Sequence, residues 1–191
     1  MDPAFKNFIS AFSPPVDLIK PTDQTISQFE KVLPISLINF WKEYGFGNYA
    51  DGLIKVINPE EYNVSLYEWL GKKDISRVPI LVTAFGDIFF YRKLTASDED
   101  ISFLDIHYRK IEVCVWSLID FFNSFIVNND IIKELLREKL FKKAVSKIGT
   151  ITFDEIYYFV PALILGGKED IKNISKGNGI IHQSLLFQTG N

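Results

Sequence analysis

The sequence has little of the material from which disulfide scaffolds, membrane anchors and nucleic-acid binders are built. Its single cysteine, Cys114, cannot form an internal disulfide and indicates a reducing compartment. The longest apolar run, near residues 159–165, is far shorter than the ~18 residues that cross a bilayer, so we expect no membrane partner. The net charge of −3 lacks the basic excess of a typical nucleic-acid binder. The N-terminus has no basic segment followed by an apolar one, so we expect a cytoplasmic protein without a signal peptide.

Residues able to carry catalysis or bind a metal are equally scarce. The two histidines do not lie at metal-ligand spacing: we predict that His107 is solvated in a turn and that His182 is a hydrogen-bonded core residue. Cys114, between two valines, is predicted to be an inert packing residue. Gly166-Gly167 precedes a short helical segment whose N-terminus could bind an anion, although a plain turn is the favoured interpretation. No phosphate loop, nucleophile elbow or dinucleotide fingerprint is present, so we expect no catalytic residue, cofactor or metal.

Local patterns predict an α+β fold rich in aromatic side chains. Capping signals and apolar spacing predict helices over residues 5–12, 25–44 with a bend at Pro34, 58–70, 117–125 and 130–145. Apolar runs predict strands over residues 53–57, 78–83, 88–92, 101–106, 111–116 and 180–187, while residues 156–159 fit a helix or a strand. Short connections favour antiparallel neighbours. We therefore predict a largely antiparallel sheet backed by helices (residues 1–116), then a helix-rich C-terminal lobe with a closing strand (residues 117–191), packed as one unit.

Three short segments are candidates for contact with a protein partner. The first is a glycine-flanked aromatic loop, the second a hairpin turn and the third an acidic loop. Their residues are Phe46, Asn48 and Tyr49; Asp87; and Asp98, Glu99 and Asp100. The alternative for the aromatic loop is packing of a helix end against the sheet, and the alternative for the acidic loop is simple solvation.

Several motifs in a fixed order resemble a bacterial protein family. Segments similar to the GAD-like domain are residues 33–34 (Leu-Pro), 40–47 (Phe-Trp-Lys-Glu-Tyr-Gly-Phe-Gly), 51–53 (Asp-Gly-Leu), 58–62 (Asn-Pro-Glu-Glu-Tyr) and 79–87 (Pro-Ile-Leu-Val-Thr-Ala-Phe-Gly-Asp). Residues 154–167 (Asp-Glu-Ile-Tyr-Tyr-Phe-Val-Pro-Ala-Leu-Ile-Leu-Gly-Gly), His182 and residues 185–188 resemble the C-terminal domain of type VI secretion immunity proteins. Tyr158 and Ile164 depart from the glycine and alanine that are common in that domain, and both are packing changes.

The resemblance implies a cytosolic immunity protein that binds and neutralises a cognate secreted antibacterial effector toxin, notably a DNase. It implies no catalytic residues, and the oligomeric state stays open. Two alternatives remain at this point. One is a regulatory interaction module with a host partner, since the Leu-Pro and Trp-x-x-Tyr-Gly motifs distantly resemble the SUKH superfamily. The other is a small-molecule-binding protein or enzyme with a pocket near Tyr44, Asp87 or His182.

Overall fold

Six strands form one antiparallel sheet whose spatial order follows the chain. The structure, a computed structural model, describes residues 3–14 and 18–189. The sheet has the order β1-β2-β3-β4-β5-β6, in which every neighbour is antiparallel. The strands are β1 (Gly47–Tyr49), β2 (Ile54–Val56), β3 (Arg77–Thr83), β4 (Ile88–Lys93), β5 (Glu99–Asp105) and β6 (Lys110–Val115). This architecture confirms the predicted fold class. Short connections join β3 to β4, β4 to β5 and β5 to β6 and favour antiparallel pairing, whereas residues 57–76 separate β2 from β3.

Seven α-helices surround the sheet in the described part of the chain. They are α1 (Lys6–Ala11), α2 (Asp23–Phe29), α3 (Ile35–Tyr44), α4 (Pro59–Leu70), α5 (Leu118–Asp120), α6 (Glu138–Ile148) and α7 (Gly179–Thr189). Two π-helical turns, Phe121–Phe125 and Ile131–Leu135, lie between α5 and α6. Short 3-10 turns cover Pro3–Phe5, Ala50–Gly52, Leu163–Leu165 and Ile171–Asn173. No described helix has the length and apolar character needed to cross a membrane.

Local capping chemistry sets most helix ends where the sequence predicts them. Asn58 accepts a hydrogen bond from the Glu60 amide, Pro59 occupies the first helical position, and Gly71 ends α4 in the left-handed conformation. Helix α2 is an exception, because its cap is Thr22, whose hydroxyl accepts from the Thr25 amide. The predicted capping box at Thr25 is therefore wrong by one turn.

The central strands β3, β4 and β5 are buried on both faces of the sheet. Along β4, Phe89 belongs to the apolar cluster that contains α1 and α3, whereas Phe90 belongs to a second cluster with α4 and α7. This alternation follows the period of two of a strand, and it explains why the central strands read as continuous apolar runs. The first cluster also includes Phe122 and Tyr157, so residues from both predicted lobes share one core.

The C-terminal lobe contains strands, but they lie earlier than expected. β7 (Glu155–Phe159) and β8 (Ile174–Asn178) form a two-stranded antiparallel sheet, which settles the open choice at residues 156–159. The strand predicted over residues 180–187 is wrong, because this segment is α7. Asn178 accepts from the Ile181 amide at 3.0 Å, and the buried residues Gly179, Gln183 and Leu186 follow helical spacing. Because Gln183 is polar, the sequence does not mark it as a buried position, and the apolar pattern alone does not show the helical spacing.

The long helix predicted over residues 130–145 is also interrupted. Arg137 adopts φ 53° and ψ 40°, a left-handed conformation that ends the π-helical turn before α6 begins at Glu138. Such a backbone is unfavourable for a residue with a side chain, so tertiary contacts must hold it. Those contacts are part of the junction between the two lobes.

Candidate interaction surface

A fully buried lysine joins the sheet to the C-terminal lobe. Lys55, on β2, directs its Nζ at three backbone carbonyls: those of Thr152 at 2.8 Å, Phe153 at 2.9 Å and Glu155. Burial lowers the pKa of Lys55 to about 7, against the opposing influence of nearby carboxylates. The ammonium group thus donates to carbonyls of the turn before β7 and of the first β7 residue, and it fixes β7 relative to the sheet.

A buried ion-pair network forms a second junction. Arg137 donates from Nη1 to Asp87 Oδ2 at 2.7 Å and from Nε to Glu169 Oε1 at 3.2 Å, and its Nη2 lies 3.8 Å from Asp105 Oδ2. The guanidinium also lies over the Phe85 ring, 5.7 Å from the centroid. Burial opposes the charged form of Arg137, but Asp87 and the other carboxylates outweigh it and raise its pKa. Burial and the neighbouring Asp87 raise the pKa of Asp105.

Asp87, predicted as a contact residue in a hairpin turn, is fully buried in this network. It also accepts from the Thr83 hydroxyl at 3.2 Å and from the Ile106 amide at 3.1 Å. Its carboxylate therefore stabilises the junction and offers no surface to a partner. The prediction of a solvated His107 is wrong as well, because this ring is buried with Nε2 2.8 Å from the Phe85 carbonyl oxygen.

The aromatic loop follows the packing alternative. Phe46 packs edge-on against Trp41 at 5.2 Å, and the buried Tyr49 donates its hydroxyl to the Gly45 carbonyl at 3.2 Å. Asn48 is half-buried and donates from Nδ2 to the Ile151 carbonyl at 3.3 Å. Neither aromatic side chain is free for a partner, whereas Asn48 lies at the rim of a groove between the two lobes.

Of the acidic triplet, only one carboxylate is exposed. Asp100 is fully buried and paired with Arg92, whose Nε lies 2.8 Å from Oδ1. Glu99 is half-buried and accepts from the Leu118 amide at 2.8 Å. Asp98 lies in an exposed turn, where it accepts from the Thr95 hydroxyl at 2.6 Å. Partner contact through Asp98 stays a prediction.

His107, His182 and Cys114, the described residues with catalytic potential, share no hydrogen bond with one another. His182 stacks on Tyr158 at 4.0 Å, and its buried Nε2 has no hydrogen-bond partner, so the predicted hydrogen-bonded core histidine is wrong at that atom. Burial lowers the pKa of His182 to about 4, with a smaller contribution from His107. Burial raises the pKa of the Cys114 thiol to about 12, which matches the predicted inert packing. In the described part of the chain, no group of three His, Cys, Asp or Glu side chains is placed to hold a metal ion.

A groove of about 870 Å³ lies between the loop around β1 and α6. Its walls include Asn48, Leu53, Phe141 and the exposed ion pair of Lys142 with Glu138. None of the residues proposed for a small-molecule pocket, Tyr44, Asp87 or His182, lines this groove. The open shape gives it the character of a surface cleft, unlike the enclosed pockets that typically bury a small ligand.

The C-terminal lobe carries a cluster of exposed apolar side chains on a tightly closed loop and on α7. This C-terminal apolar surface consists of Val160, Ile164, Leu165, Ile181 and Leu185. Leu165 is 62% exposed and Ile181 is 63% exposed, values typical of polar residues. The apolar run that the sequence shows here is thus only partly core, and no periodicity in the sequence distinguishes the two kinds of position.

Backbone contacts hold the loop part of this surface. The Gly167 amide donates to the Ala162 carbonyl at 3.0 Å, and a Cβ at Gly167 would lie 1.9 Å from the Pro161 carbonyl oxygen. Only glycine fits this closure, which confirms the plain turn expected for Gly166-Gly167. Val160 continues the β7 ladder through its amide, which donates to the Asn173 carbonyl at 2.6 Å. The loop is therefore anchored through Val160 and closed on itself through Gly167.

The helical part of the surface lies on α7, which contacts β7, the strand that precedes the loop part. Ile181 and Leu185 are four residues apart on α7, so they lie on one helix face. His182, between them in sequence, stacks on Tyr158 of β7, the strand that leads into the loop. Gln183 fixes α7 from the buried side, because its Nε2 donates to the Gly86 carbonyl at 2.7 Å and its Oε1 accepts from Ser65 at 2.7 Å. Sequence reasoning missed Gln183, since nothing local marks a glutamine as buried.

Comparison with known proteins finds two matching families and a solved structure with a similar fold. Residues 3–104 match the GAD-like domain, and residues 117–190 match the family described as T6SS immunity protein Tdi1, C-terminal. No curated protein matches the chain. Among solved structures, the crystal structure of Atu4351 from Agrobacterium tumefaciens has a similar fold, with a TM-score of 0.77 and 16% identity over 97% of this chain and 89% of that chain. The chain therefore belongs to the GAD-like domain family, and its C-terminal region is similar to the C-terminal domain of the type VI secretion immunity protein Tdi1.

Proposed function

We propose that this immunity protein binds a cognate secreted effector in the cytosol and neutralises it through the C-terminal apolar surface. The observation that carries the proposal is the concentration of exposed apolar side chains within the region that matches the immunity family. Clusters of this kind on an otherwise ordinary surface mark protein interaction sites.

The rigidity of the surface suits tight binding. The loop is closed by the Gly167 amide, and α7 is fixed by the two hydrogen bonds of Gln183. A surface that is already ordered loses little conformational entropy on association, so more of its apolar burial appears as affinity. Leu165 and Ile181 are the most exposed members, and we expect them to be the central contacts.

Charge supplies a second, weaker element of the proposal. The exposed Asp98 would attract a basic protein, such as a DNase whose active site normally meets phosphate. Reversal to lysine is expected to slow association and to reduce its dependence on salt, with little change in the dissociation rate. An unchanged association rate would remove Asp98 from the proposed interface without affecting the C-terminal apolar surface.

Co-expression with the protein encoded beside this chain is the direct test. The chain should rescue growth and co-purify with that protein, whereas Leu165→Asp and Ile181→Asp should each weaken the complex about a hundredfold or more, as expected for central contacts. Val64→Asp is the matched control, because Val64 is a 75% exposed apolar residue on a different helix, α4.

Two outcomes decide between interpretations. Rescue by the unmodified chain with full activity of both aspartate variants would place the interface elsewhere on the protein. Absence of both rescue and complex formation would contradict the pairing with that effector and favour a regulatory role with a host partner.

A further inference from the structure

Strand β6 forms one open edge of the six-stranded sheet. It pairs with β5 on one side only, and its residues from Lys110 to Val113 are exposed. The opposite edge differs, since β1 has three residues and Phe46 beside it already bridges to Ile19. An exposed edge strand presents unpaired backbone donors and acceptors, which are able to pair with another strand.

The side chains of this edge are unusually apolar for an unprotected strand. Ile111 and Val113 are 46% and 42% exposed, and Trp116, just past the end of β6, is 69% exposed. Ile111 pairs with Leu104, and Val113 pairs with Ser102, so both side chains lie on the same face of the sheet. Lys110 and Glu112 lie on the other face. A lysine on an edge strand, such as Lys110, normally discourages pairing with another strand.

The charges on β6 are complementary to those of its own copy in one antiparallel register. If a two-fold axis passes through Ile111, this residue faces its own copy, Lys110 faces Glu112 of the second molecule, and Glu112 faces Lys110. Both ion pairs then form across adjacent strands, where opposite charges are favourable. A shift by one residue places lysine opposite valine and loses this match.

We propose that the occupant of the β6 edge is β6 of a second copy of this chain, paired antiparallel about Ile111. The two sheets then form one continuous sheet of twelve strands. Opposed Ile111 side chains, with Val113 beside them, remove apolar area from water on one face, and two Lys110–Glu112 pairs cover the other face. A two-fold contact of this kind is self-complementary and closed, so association stops at the dimer. No residue of the C-terminal apolar surface lies in the two pairing strands.

Engineered cysteines test the register directly. In a Cys114→Ser background, Ile111→Cys should cross-link to its own copy under mild oxidation, because directly opposed residues lie about 4.5–5.5 Å apart at Cα. Val113→Cys is the matched control: its two copies would be four residues apart along the strands, about 13 Å, beyond disulfide reach. Cross-linking of Val113→Cys as fast as Ile111→Cys would overturn the register.

Charge exchange tests the contact without a covalent bond. Light scattering should give about twice the 22.0 kDa chain mass at high protein concentration. Glu112→Lys should weaken the dimer about tenfold, and the exchange Lys110→Glu with Glu112→Lys should restore it. Lys139→Glu, on the exposed face of α6, is the control and should leave the dimer unchanged. Thermal melts verify that each variant is folded.

The outcomes separate this dimer from the proposed effector complex. A chain that stays monomeric at several hundred micromolar would overturn the proposal. So would a dimer whose dissociation constant is unchanged by Glu112→Lys. Loss of effector binding in Ile111→Cys before oxidation would show instead that β6 belongs to the effector interface. Retained effector binding by a monomeric Glu112→Lys variant would support two independent surfaces.

Discussion

Replacement of Arg137 by methionine tests the claim that a buried ion pair joins the two lobes. Methionine keeps an unbranched stem but removes the charge that faces the fully buried Asp87. Arginine and methionine are equally unsuited to the left-handed backbone at position 137, so the substitution does not change the conformational cost. The change therefore reports the loss of the ion-pair network.

The expected loss is large because one charge is left without its counter-ion. Removal of one partner from a buried pair typically costs about 3–5 kcal/mol. Asp87 keeps its bonds from Thr83 and the Ile106 amide, so we expect a loss near the lower end, about 3 kcal/mol. Asp87→Asn added to Arg137→Met should recover about 1–2 kcal/mol, because the asparagine removes the stranded charge.

Urea unfolding at pH 7 measures these changes. The control is Lys142→Met, which breaks an exposed pair with Glu138 at 2.6 Å and should cost less than about 1 kcal/mol. A loss below about 1 kcal/mol, or no recovery in the double variant, would refute the reasoning.

Three further predictions concern other buried groups. Lys55→Met should lower the free energy of unfolding by roughly 3 kcal/mol, because three backbone carbonyls each lose one hydrogen bond; a urea midpoint equal to that of the unmodified chain would contradict the assigned role. The pKa of His182 is lowered to about 4 in the folded state, so the native state binds fewer protons than the unfolded chain between about pH 4 and 6.5, and stability should fall as pH drops through that range. His182→Phe keeps a ring against Tyr158 and should flatten that part of the pH profile. The Cys114 thiol, with a pKa raised to about 12, should react with a disulfide reagent at pH 8 at least about tenfold more slowly in the folded chain than in urea, and equal rates would show that it is accessible.

Much of the architecture follows from local sequence. Asn58, Pro59 and Gly71 define α4 through bonds and backbone preferences that act within a few residues. The apolar runs of the central strands predict burial on both faces, and short connections then leave antiparallel pairing as the simplest solution. The family motifs add the C-terminal immunity region, which composition and spacing do not reveal.

The identity of the available surface could not be predicted in the same way. Phe46, Tyr49, Asp87 and Asp100 have side chains that suit an interface, yet all four are buried. Asp87 is buried because Arg137 reaches it across 50 positions of sequence, and no local pattern encodes that pairing. Among the predicted contact residues, Asp98 keeps an exposed carboxylate and Asn48 keeps a position at a groove.

Sequence by itself determined the fold class and the family, because capping, strand alternation and turn chemistry act over short distances. Tertiary structure decided which charges are buried and which apolar residues are exposed. The segment 180–187 shows the reason: the buried positions of α7 are recognised only once Gln183 has found Ser65 and the Gly86 carbonyl. Burial of a polar group depends on a partner distant in sequence, and only the folded chain brings that partner within hydrogen-bonding distance.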